Sequence, residues 1–193
     1  MIEKQVIYLD FDNTLVNSTK AFCTVYNANR MPEEKLADWT KVTRWDFTDE
    51  CPNLTPKQIE DYFGKDYFYM KLEFMPDALR VLKELVKTYE IRICSIGSPA
   101  NISKKVEWLE ENLTSVIPEI TDGIFLVKNN GKMGKECVDM RHGIIVDDSW
   151  TNVSTSNAEL KITFGIKAEW NKDCKGLRAK DWNVLEHLLL GWR

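Results

Sequence analysis

The chain has 193 residues, of which 44% are hydrophobic and 29% charged, with a formal net charge of -4. That suits one globular domain with an insertion and excludes a disordered or fibrous polymer. The negative balance argues against a nucleic-acid polymer as principal partner, because phosphate-backbone binders carry a basic face. No apolar run reaches the roughly 20 residues that cross a bilayer, so no membrane partner is expected. Five scattered cysteines (Cys23, Cys51, Cys94, Cys137 and Cys174) form no close CxxC pair, and His142 and His187 stand without ligand spacing. A disulfide frame, a zinc site and a Ser-His-Asp triad therefore all lack parts. With no signal-type segment ahead of the first strand, a cytoplasmic protein is expected.

Val6 to Leu9 reads as a buried strand that runs straight into Asp10, Phe11 and Asp12. Successive strand side chains alternate faces, so Asp10 and Asp12 project together. Two like charges that close are costly, and more so when buried, unless a cation or a shared proton offsets them. Ser18 to Asn29 follows as a helix. Met31 to Met75 is rich in aromatics and shows little strand alternation; it contains a helix from Thr55 to Phe63, with Thr55 as cap, Pro56 in the first turn and Gly64 as stop. Ala78, Leu79, Leu82, Leu85 and Val86 then mark one stripe of a helix, followed by the short strand IRICSI. A helix opened by Ser98 and Pro99 leads to the strands DGIFLV, HGIIVDD and LKITFG, and a helix capped by Asp181 closes the chain.

Strands alternating with helices predict an α/β protein, a Rossmann-like doubly wound parallel sheet. The core is expected in residues 1–17 and 76–193, with a small, mostly helical cap of residues 18–75 inserted after the first strand. Three strands end on polar residues: Asp10 and Asp12, then Ser95, then Asp147 and Asp148. In a parallel sheet these ends share one edge, so four carboxylates and a hydroxyl converge there. Hard oxygen donors without histidine or cysteine select magnesium, which accepts phosphate oxygens as remaining ligands.

These motifs resemble those of the haloacid dehalogenase-like (HAD) phosphohydrolase superfamily. Asp10-Phe11-Asp12-Asn13-Thr14 resembles its DxDx(T/V) motif, Ser95 its second, a lysine before the fourth strand its third, and Asp147-Asp148 its acidic pair. The resemblance implies Asp10 as nucleophile, forming an aspartyl-phosphate, and Asp12 as general acid and then base. It implies Mg2+ held by Asp10, the Asp12 backbone carbonyl and Asp148, with Asp147 supporting. Ser95 and a lysine would hold the phosphate. Lys128, Lys132 and Lys135 are candidates for the lysine, with Lys135 favoured by its distance to Asp148 and Lys132 a competitor.

Further matches narrow the resemblance to the cytosolic-type 5'-nucleotidases, the 5'(3')-deoxyribonucleotidase group. They are YFYMKLEF with Pro76-Asp77-Ala78 opening a helix, the helix KKVEWLEENL that places Lys105 on the phosphate side, and the tail AEWNKDCKGLRAKDWNVL. Three departures stand out. Asn13 occupies a position where the group has Gly, Ile96 falls where it has a phosphate-binding Ser (with Gly97 or Ser98 as substitutes), and Ser18 lies near the position of a base-stacking Phe. Aromatic rings stack on nucleobases at roughly 1–3 kcal/mol per base, and family likeness singles out Trp45, Phe68 and Tyr69 as the pocket wall. The expected substrate is a (deoxy)ribonucleoside 5'-monophosphate and the expected assembly a homodimer. The alternatives are a sugar phosphate, a nucleic-acid terminal phosphate, or a non-catalytic nucleotide-binding regulator.

Overall fold

A computed structural model describes residues 4–120, 123–127 and 134–191. Its centre is a parallel sheet with β1 (Val6–Leu9), β2 (Glu90–Gly97), β3 (Gly123–Val127), β4 (Ile144–Asp147), β5 (Leu160–Phe164) and β6 (Leu177–Ala179) in the order β3-β2-β1-β4-β5-β6. The chain runs from β1 outward to β3, then returns to lay β4 against the other side of β1. The order therefore reverses between β1 and β4, and a ligand crevice is expected at their carboxyl ends. β6 was not anticipated: it is three residues long on a sheet edge and carries little apolar signal of its own.

The helices cover both faces. In α4 (Ala78–Thr88) Ala78, Leu82, Leu85 and Val86 of the expected stripe are buried, Val81 joins them, and Leu79 is only partly buried. α5 (Pro99–Leu109) starts at the Ser98 cap and passes into a π-helical turn, Glu110–Thr114, where a continuous helix was expected. α6 (Trp150–Thr155) follows β4. α7 (Trp182–Leu190), capped by Asp181, sends the Trp182 indole N–H to the Thr14 carbonyl at 2.9 Å, which braces the loop after β1 from below. Phe11 points away from the carboxylates and meets Trp108 edge-on. Among the described residues no helix is long and apolar enough to cross a membrane.

Residues 18–75 carry α1 (Ser18–Asn29), α2 (Pro56–Tyr62) and the short α3 (Asp66–Tyr69), and supply no strand of the sheet. Thr55 and Gln58 form a reciprocal capping box at the start of α2. Phe22, Phe47, Phe63 and Phe68 pack on one another and join the same apolar core as β1.

The departure from glycine at Asn13 has a backbone explanation, and Asp77 in the Pro76-Asp77-Ala78 step shares it. Asn13 (φ 53) and Asp77 (φ 66) both sit in the left-handed region, which Asn and Asp enter more readily than other side-chain-bearing residues. Asn13 also accepts hydrogen bonds from the Thr19 backbone N–H (3.0 Å) and hydroxyl (2.9 Å), which fix the loop to α1. Asn13→Ala is expected to cost about 2 kcal/mol, one part backbone strain and one part lost hydrogen bond. Asn13→Gly, which loses only the bond, is expected to cost about half as much; urea denaturation of both variants would test the difference.

Candidate active site

The Asp10 N–H donates to the Val146 carbonyl at 2.9 Å, locking the end of β1 to β4. β2 flanks β1 on the other side and carries Ser95 toward the site; the strand runs on to Gly97, two residues past the end expected at Ser95. Each aspartate after β1 has its own buried lysine. Lys135 comes from a 3-10 turn just before β4 (Lys135–Cys137) and places its ammonium 2.6 Å from Asp10 Oδ1 and 2.5 Å from Asp147 Oδ2. Lys105 reaches in from α5, donating to Asp12 Oδ2, to Ser95 Oγ at 2.8 Å and to the Ile96 carbonyl at 3.3 Å. Both lysines are 1% exposed, so neither is the solvated surface cation that lysine usually is. The repulsion between Asp10 and Asp12 is thereby divided between two separate counter-ions.

The acidic pair after β4 splits by hydrogen bonding. Asp147 is saturated: Lys135, the Ser149 N–H and the Asn152 amide all donate to it. Asp148 receives a single bond, from the Trp170 indole N–H to Oδ2 at 2.9 Å, and among the described residues no donor reaches its Oδ1. One oxygen from each of Asp10, Asp147 and Asp148 lies within 4.8 Å of the others. Asp10, Asp12, Asp147 and Asp148 against Lys105 and Lys135 leave two uncompensated negative charges, and the donors are all hard oxygens. That set fits a divalent cation such as magnesium.

The titration behaviour agrees with the excess of negative charge. Burial is the main influence on Asp10, with Asp147 and Asp12 adding to it and Lys135 opposing; together they push its carboxyl up to about 7. Burial, then Asp10, Asp147 and Asp12, hold Asp148 well above the usual carboxylate range. Burial works against the charge on Lys135, but Asp10 and Asp147 outweigh it and keep the ammonium protonated. A carboxyl whose folded pKa lies above its unfolded value binds a proton more tightly when folded, so stability falls as pH rises between the two values. Chelator-treated protein is therefore expected to melt at a higher temperature at pH 5.5 than at pH 8. Added Mg2+ should raise the melting temperature more at pH 8; thermal scans with and without the ion check both signs.

The other expected site residues lie as follows. Phe68 is fully buried against Phe63 and Tyr69. Tyr69 is buried as well, its hydroxyl engaged with the Phe63 and Asn101 carbonyls and the Asn101 amide. Trp45 is 61% exposed on the loop before Phe47. Ser98 spends its hydroxyl on the Asn101 N–H as the cap of α5. Lys128 and Lys132 lie outside the described residues. Three contributors escaped the sequence reading: Ser18, whose hydroxyl donates to Asp12 Oδ1 at 2.5 Å, Asn152 and Trp170. Ser18 and Asn152 each lie five or six residues beyond the aspartate they serve, a spacing that a strand-to-helix turn closes.

A family model described as "5' nucleotidase, deoxy (Pyrimidine), cytosolic type C protein" matches residues 4–193. No curated protein is matched. Among solved structures, a predicted phosphatase from Clostridium acetobutylicum is similar at 13% identity and TM-score 0.66, over 98% of this chain and 100% of that one. A HAD hydrolase from Bacillus subtilis, bound to magnesium, is similar at 12% identity and TM-score 0.58, over 97% and 99% of the two chains. A HAD family hydrolase from Deinococcus radiodurans, with bound phosphate and sodium, is similar at 12% identity and TM-score 0.60, over 97% and 95%. At such identities the likeness speaks for the fold, the α/β parallel sheet of the HAD superfamily.

Proposed function

The chain belongs to the family described as 5' nucleotidase, deoxy (Pyrimidine), cytosolic type C, a family of HAD phosphatases, and from that premise we propose a magnesium-dependent phosphomonoesterase of (deoxy)ribonucleoside 5'-monophosphates. The observation that carries the reading is the convergence of Asp10, Asp12, Ser95, Lys105, Lys135 and Asp148 at the β1–β4 switch point.

In this reading Asp10 attacks phosphorus in line with the ester oxygen, and that oxygen leaves with a proton from Asp12. Water then attacks the aspartyl-phosphate, giving its proton to Asp12 and releasing phosphate from Asp10. Ser95, Lys105 and Lys135 surround the phosphoryl oxygens, where charge accumulates in the transition state. Ser18 holds the Asp12 carboxylate in the orientation for proton transfer. Asp10, the Asp12 carbonyl and Asp148, with Asp147 behind, would hold magnesium, which when bound would supply the charge that offsets the remaining two negative charges. Residues 18–75 act as the cap over this edge, with Trp45, Phe68 and Tyr69 as the proposed base-side wall. A cytoplasmic location and a homodimer complete the proposal.

A second reading, a sugar phosphate as substrate, is favoured by the packing of Phe68 inside the protein and by Ser18 near the expected ring position. Phosphate release with Mg2+ separates the two, using deoxy- and ribonucleoside 5'- and 3'-monophosphates, sugar phosphates and a 5'-phosphorylated oligonucleotide. Turnover of 5'-monophosphates is expected; turnover of sugar phosphates alone would overturn the preferred substrate.

A further inference from the structure

The loop between β5 and β6 takes no part in the chemistry just described, yet it is unusually well braced. Gly165 (φ 84) turns the chain out of β5, with its N–H on the Ala179 carbonyl at 2.8 Å. Arg178 donates to the Gly165 carbonyl at 3.1 Å and to the Asn171 carbonyl at 2.7 Å. The buried Asn171 side chain accepts from the Ala168 N–H at 2.9 Å and donates to the Ile166 carbonyl at 3.2 Å. The 3-10 turn Glu169–Asn171 is thus held from both ends. It presents two groups outward: the Trp170 indole N–H, on Asp148 Oδ2, and the Glu169 N–H, on the Thr43 carbonyl of the segment leading to Trp45 (3.1 Å).

We propose that Trp170 is a positioning residue for the Asp148 carboxylate, and that the Glu169–Asn171 turn is a strut fixing that carboxylate relative to residues 18–75. The inference rests on the metal-dependent reading above. Asp148 is buried and has this one hydrogen bond, so without it nothing among the described side chains sets the rotation of the carboxylate. A neutral donor is suited to the task. A lysine in that position would consume the charge that a cation needs, as Lys135 does for Asp147, whereas an indole N–H occupies Oδ2 and leaves the full carboxylate charge to act through Oδ1. Partners of this kind behind metal ligands change affinity by about 10- to 100-fold when removed.

The test compares wild type with Trp170→Phe, and with benzothienylalanine incorporated at position 170, which keeps the shape of the indole and deletes only the N–H. Mg2+ affinity is measured by titration calorimetry without substrate, and tryptophan emission is followed through the same titration. Mg2+ binding is expected to weaken at least ten-fold in both variants, with melting temperatures near wild type. The emission change that Mg2+ produces in wild type should be lost in Trp170→Phe. If Trp170→Phe fails to fold, the benzothienylalanine protein decides the question. Affinities within two-fold of wild type would overturn the positioning role. Wild type failing to bind Mg2+ would instead overturn the metal-dependent reading on which the role depends.

Discussion

Asp10→Asn is expected to reduce phosphate release by roughly four orders of magnitude or more, since an amide cannot form the phospho-enzyme and the remaining groups only bind and polarise. Its folding should be intact. The substitution removes a buried carboxyl that desolvation already pushes up to about 7, and Lys135 keeps Asp147 as ion partner. A melting temperature equal to or above wild type is therefore expected. Asp12→Asn gives a different signature with a nitrophenyl phosphate ester, whose leaving group needs no proton. Asp10 can still attack, so one equivalent of nitrophenolate should appear in a burst before hydrolysis stalls for want of a base. Asp10→Asn should show no burst. Equal behaviour of the two variants would remove the division of labour between the carboxylates.

The sheet was legible in the sequence wherever a strand was buried and ended on a polar group. Leu9, Ile93 and Val146 are apolar because both sheet faces are covered, and Asp10, Ser95 and Asp147 follow closely because the carboxyl edge opens on the crevice. Pattern could not find β6, whose pairing with β5 depends on tertiary context over a three-residue span. Nor could it find three of the donors to the site, Ser18, Asn152 and Trp170. Trp170 reads as one more aromatic until the loop carrying it is folded back by Arg178, and Ser18 looks like a helix opener although its hydroxyl faces Asp12.

The aromatic segment is where composition says least about role. Trp45, Phe47, Phe68 and Tyr69 are equivalent on paper, yet Phe47 and Phe68 are buried core residues, Tyr69 is tied to Asn101 through its hydroxyl, and Trp45 is exposed. Phe47 enters the left-handed region (φ 54) while its ring lies 4.1 Å from that of Phe22. Packing has overridden the backbone preference of a bulky residue, as happens where the surroundings determine the loop. Sequence gives the supply of rings; only the packing decides which faces stay open.

Lys135→Met is expected to cost roughly 3–5 kcal/mol at pH 8, the range for removing one member of a buried ion pair. Methionine fills much the same volume, so the loss comes from charge: Asp10 and Asp147 are left facing each other, both buried, with no cation between them. The Asp10 carboxyl, already pushed up to about 7, then loses the ammonium that opposes that rise, and the stability deficit grows as pH rises through the interval. Urea denaturation at pH 5.5 should show a smaller loss than at pH 8, and Asp147→Asn in the Lys135→Met background should restore part of it. Lys105→Met is expected to cost less, because Asp12 retains the Ser18 hydroxyl and is 17% exposed. The same substitutions separate the candidate phosphate lysines. Lys135→Met should lower turnover by about 10²- to 10³-fold, as removal of a group facing transition-state charge does, while Lys128→Met and Lys132→Met leave it near wild type. A loss of turnover in Lys132→Met with Lys135→Met fully active would transfer the phosphate contact to Lys132 and leave Lys135 as the counter-ion that keeps Asp10 and Asp147 buried.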